Sequence, residues 1–162
     1  MSIVAFDKDH CLALRPRFTV QVWMDTLPAA VDDNIDKLTP WVATQSGPIA
    51  HLVVVDTRGN PPNKEARARL EALASVLAPH TAVIAYAYEG DGFKGAAIRA
   101  VMTALALLAS RKYPVKICAT LPAALAFITE HVDDDPEYGS AKERATLAVE
   151  AIKAMRSAVG HV

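Results

Sequence analysis

At 162 residues, 52% hydrophobic and 22% charged, the chain has the make-up of one folded domain able to bury a core without disulfide or metal staples, which excludes a disordered polymer. Its 17 basic and 18 acidic side chains leave a formal net charge of -1, without the positive excess needed to neutralise nucleic-acid phosphates, so nucleic acid is not an expected partner. Cys11 and Cys118 stand far apart in apolar runs and read as buried free thiols, not a disulfide or zinc framework. Charge within MSIVAFDKDH, where a leader would have its apolar core, and the lack of about 18 uninterrupted apolar residues point to a cytoplasmic chain with no membrane span.

In chain order, the first fifty residues are strand-rich. Short apolar or alternating runs at 3–6, 11–14 and 18–24 are separated by turns at 7–10 and at Pro16. Ile35, Leu38, Trp41 and Val42 recur at three- and four-residue steps and predict a short helix over 32–43, with Pro40 interrupting it or beginning a turn. The unbroken run Leu52-Val53-Val54-Val55 predicts a central strand over 51–56, covered on both faces. Turn chemistry at Arg58-Gly59-Asn60-Pro61-Pro62 leads into an amphipathic helix over 63–77, whose polar face carries Lys64, Arg67, Arg69 and Glu71. A strand over 81–88 runs into a glycine loop at 90–95, and a highly apolar helix over 96–110 follows, which must pack against the sheet or a partner. A last strand at 115–118 and a helix from Leu121-Pro122 to about His131 complete the main unit. After the acidic break Asp133-Asp134-Asp135-Pro136, an additional helix over 140–159 is expected. It divides the chain into an α/β unit at 1–132 and a helical extension at 133–162 packed on the same domain.

This order resembles the STAS fold of bacterial anti-sigma-factor antagonists, the SpoIIAA-like proteins. The segment Leu52-Val53-Val54-Val55-Asp56-Thr57-Arg58-Gly59 is similar to the family's apolar strand and Asp-Ser-Ser-Gly turn. The segment 97–105 is similar to the helix after its next strand, and Val115-Lys116-Ile117-Cys118 with Pro122-Ala123-Ala124-Leu125 to its last strand and the following helix. The resemblance implies a mixed sheet covered by helices, with the C-terminal helix additional to the family pattern. It also implies that Thr57 occupies the position of the antagonists' phosphorylated serine, although Arg58 replaces the second serine. Phosphate on Thr57 would place charge at the start of the following helix, where free N–H groups favour an anion. Alternatively, Asp56 and Thr57 cap that helix or close the turn.

Gly90, Gly92 and Gly95 fit G-x-G-x-x-G between a predicted strand and helix, and with Lys94 could bind a phosphate or nucleotide. The acidic residue that a dinucleotide site needs about twenty positions further on is absent. The histidines at 10, 51, 80, 131 and 161 lack metal-ligand spacing and are assigned to surface or turn positions, and the acidic clusters at 32–36 and 133–135 to solvated helix ends. No nucleophile elbow, Walker motif or other catalytic set is legible, and no cofactor is implied. The leading expectation is therefore a non-enzymatic, possible regulatory module that binds another protein of unspecified identity. Its contact surface would use Asp56, Arg58, Lys64, Arg67 and Phe93, and the extra helix would cover the apolar one or mediate self-association as a homodimer. The alternative is a small phosphate- or nucleotide-binding domain using the glycine loop.

Overall fold

A computed structural model describes residues 2–109 and 112–159. Ser110, the expected end of the apolar helix, and His161 lie outside them. Six strands form one mixed sheet in sequential order: β1 (Ser2–Phe6), β2 (His10–Arg15), β3 (Phe18–Trp23), β4 (Ile49–Val55), β5 (Thr81–Tyr88) and β6 (Val115–Cys118). The first three pair antiparallel through tight connections, and β3 to β6 are parallel. The α/β class and mixed sheet read from the sequence are those observed, and β4 lies inside the sheet between β3 and β5.

Each parallel step needs a crossover, supplied by α1 (Pro28–Ala43), α2 (Lys64–Leu77) and α3 (Gly92–Ala109). Successive crossovers of one hand that advance in one direction across a sheet put their helices on the same face. Leu12, Leu14, Val31, Leu38, Leu73 and Leu77 close the core on that side. After β6 the chain passes to the other face, where α4 (Leu121–Val132) and α5 (Ala141–Val159) cover Phe18, Val20, Leu52 and Ala85. The sheet is thus sandwiched, which is why every residue of β3 is buried despite its alternating sequence.

Three elements differ from the sequence reading. α1 begins one turn earlier, at Pro28, whose fixed φ suits the first helical position, and it runs through Pro40 to Ala43. α3 begins at Gly92 and absorbs most of the glycine loop. α5 does not cover α3: it packs on the opposite face, where Leu147, Ala148, Ala151 and Met155 are buried in the core. α3 is therefore held on one side only, by Ile98 and Met102 packed on Tyr88. By length and composition it is a helix that could cross a membrane.

Candidate functional site

The carboxyl ends of the parallel strands gather the residues singled out in the sequence. Asp56 follows the end of β4 and is buried, while Thr57 and Arg58 are exposed. Asp56 Oδ1 accepts from Arg58 N at 2.9 Å and Arg58 Nε at 3.1 Å, and its Oδ2 accepts from Arg156 Nε of α5 at 3.1 Å. Burial alone would raise this carboxyl, but the hydrogen bonds from Arg58 and Arg156 outweigh it and hold it below its ordinary value. Asp56 thereby closes the turn and fastens α5 to the end of β4. The helix cap is a different residue: Asn63 Oδ1 accepts from Ala66 N at 2.8 Å, and α2 starts only at Lys64. The expected position of Thr57 at a helix start is thus corrected, because the Arg58–Pro62 stretch separates it from the α2 terminus.

Asp56→Ala is expected to cost about 2 kcal/mol, since it removes a buried, charge-assisted set of bonds while the two guanidinium groups remain solvated. Urea unfolding checks it, and Arg156→Ala should reproduce part of the loss.

Arg58, Lys64, Arg67 and Phe93 are all exposed. The turn and the start of α3 adjoin, with Lys94 Nζ donating to Arg58 O at 3.5 Å, whereas Lys64 and Arg67 point outward from α2. Gly90 and Gly95 have packing reasons. A Cβ on Gly90 would stand 2.1 Å from the Tyr88 hydroxyl oxygen, and one on Gly95 would stand 3.0 Å from the Gly90 carbonyl carbon. Arg99 donates to Gly90 O and lies 5.6 Å from the centre of the Tyr88 ring, while Gly95 N–H donates to Asp91 O at 3.2 Å. The Gly90 carbonyl and the Gly95 N–H are thus engaged within the chain.

A second set of polar residues lies inside the fold and was missed from sequence. His10 and His51 are buried, which corrects their assignment to surface or turn positions. His51 on β4 sits beside Thr19 on β3, with its Nδ1 2.7 Å from Thr19 Oγ1 and its Nε2 without a partner. Complete burial pulls its pKa down to about 3, so the ring is neutral. Next to it, Gln21 Oε1 accepts from Asn34 Nδ2 of α1 at 3.4 Å. The parity signal was available: His51 shares a face with Val53 and Val55, while Thr19 and Gln21 alternate with the buried Phe18, Val20 and Val22.

Comparison with known proteins gives no match to a family model, a curated protein or a solved structure.

Proposed function

We propose that the chain is a non-enzymatic, STAS-like protein-interaction module that docks through the outer face of α3 onto a second copy of itself. The observation that carries this reading is the exposure of large apolar side chains on the outer face of this apolar helix: Phe93 is 96% exposed and Leu108 61%. Phe93, Ala96, Ala100, Thr103 and Leu107 are exposed at alternating three- and four-residue steps, the spacing of a helix-pairing seam. Bulk at both ends and small residues between them favour an antiparallel pair, in which Phe93 of one copy meets the Leu107–Leu108 end of the other. Charge supports the same orientation, because the exposed Glu89 and Asp91 before α3 would face Lys112 beyond its end.

Sedimentation of the native chain and of a Phe93→Asp/Leu108→Glu double variant tests this. A concentration-dependent dimer is expected for the first and a folded monomer for the second. A native chain that stays monomeric at all concentrations would remove the reading.

The regulatory element of this proposal is phosphate on Thr57. Its support is the exposed position of Thr57 and the two guanidinium groups gathered at the adjacent Asp56. A phosphate there competes with Asp56 for them and loosens the α5 fastening. Mass spectrometry of the Thr57 peptide from the native source decides it, and an unmodified threonine sinks the switch. The phosphate- or nucleotide-binding alternative is weakened by the Gly95 N–H, which already donates to Asp91 O, and by the lack of an acidic residue about twenty positions on.

A further inference from the structure

The sheet face under α2 and α3 carries a cleft that the docking reading does not use. It has a volume of about 80 Å³ and lies between the sheet and the two helices, with Leu70 and Leu73 of α2 and Ile98 and Met102 of α3 on its helical side. Thr26, Asn60 and Pro62 stand at the end nearest the carboxyl ends of the strands. Its helix-lined stretch runs from Leu70 to Leu77 on α2 and from Ile98 to Leu105 on α3, two turns of each helix or about 10 Å.

The strand side is different in kind. His51, Gln21 and Tyr86 contribute polar groups to an otherwise apolar wall, and the lining includes no Asp, Glu, Lys or Arg. His51 is fully buried and its Nε2 makes no hydrogen bond. A buried polar atom left without a partner is costly, and native structures retain such groups where a ligand or ordered water completes them. The ring cannot turn away freely, because Nδ1 is held by the Thr19 hydroxyl at 2.7 Å. Whichever nitrogen carries the proton, Nε2 is complementary to a hydroxyl, which both donates and accepts. A carboxylate or phosphate would meet no counter-charge here, since the imidazole is held neutral by burial and the remaining wall is uncharged.

We propose that this cleft binds a small, neutral, largely apolar alcohol, with its hydroxyl on His51 Nε2 and its hydrocarbon body between α2 and α3. Polar selection on one wall and apolar enclosure on the other is the common form of a small-molecule site. The cleft and the docking face lie on opposite sides of α3, so occupancy of one does not require the other.

Three near-isosteric probes test the assignment: benzyl alcohol, toluene and benzoate, titrated into the full chain with amide chemical shifts and melting temperature as readouts. Benzyl alcohol is expected to shift Val53, Ile84 and Met102, to raise the melting temperature, and to bind about tenfold more tightly than toluene. Benzoate is expected to leave both readouts unchanged. His51→Leu should bind toluene and lose the preference for the alcohol, and Ala74→Leu, which narrows the cleft while leaving His51 in place, should weaken both. Equal affinity for alcohol and toluene in the native chain, an unchanged preference in His51→Leu, or shifts confined to outer α3 residues such as Phe93 and Leu108 would overturn the proposal. A native chain that binds none of the three would overturn it as well.

Discussion

Gly59→Ala is expected to destabilise the chain by about 3 to 4 kcal/mol, among the larger effects a single methyl group can have. A Cβ on Gly59 would stand 1.7 Å from the Met24 carbonyl oxygen and 2.6 Å from its carbon. Neither side can yield cheaply. Met24 continues from β3 and its N–H donates to Asp9 O at 2.8 Å, while Gly59 N–H donates to Asp56 O at 3.1 Å. The added methyl must therefore lift the turn off the sheet and disturb the Asp56 contacts with it. Gly92→Ala is the control: its φ of +72° is a left-handed conformation, but a Cβ there meets nothing within 4 Å, so only about 1 kcal/mol of backbone strain is expected. Urea unfolding of both variants separates a steric from a conformational glycine. A Gly59→Ala chain as stable as Gly92→Ala would mean that the turn does not lie against Met24.

The strands were legible because a buried sheet writes its pattern directly into the chain. The run 52–55 and the alternation over 18–24 both returned as strands within one or two residues. The residues that fasten elements together were not, because their partners are remote. Asp56 reaches Arg156 across 100 positions, and no local period announces that contact. Helix starts were less legible: α1 begins at Pro28 and already buries Ala30 and Val31 ahead of the apolar steps counted from Ile35, whereas α3 begins at Gly92 with Phe93 and Lys94 exposed and no apolar period in its first turn. The face that each helix covers depends on the passage of the chain after β6, so the side taken by α5 was invisible from its composition. His51 escaped because it precedes the apolar run and was weighed as an isolated histidine; counted in twos from Val53, it falls on the inward face beneath α2 and α3.

That buried imidazole predicts how the fold responds to acid. In the unfolded chain His51 takes up its proton near its ordinary value of 6.5, whereas in the fold it does so only at about 3. Between those limits the unfolded state holds one more proton, so the His51 contribution to stability is complete above the unfolded value and declines as pH falls, by about 1.4 kcal/mol for each pH unit. Asp56 works in a lower window. Its carboxyl is held below the ordinary 3.8, so its contribution survives to about pH 4 and is lost below that. From pH 7 to pH 4.5 the Asp56 contribution is constant, so the urea stability of the native chain minus that of His51→Leu reports the His51 proton among the five histidines, and this difference is expected to fall steadily as pH falls. His51→Leu removes the titrating group while keeping an apolar side chain beside Val53, and its profile should be flatter by one proton. Parallel profiles for the two chains would mean that the ring is reached by solvent and charged in the folded state, a result incompatible with its place beneath the two helices.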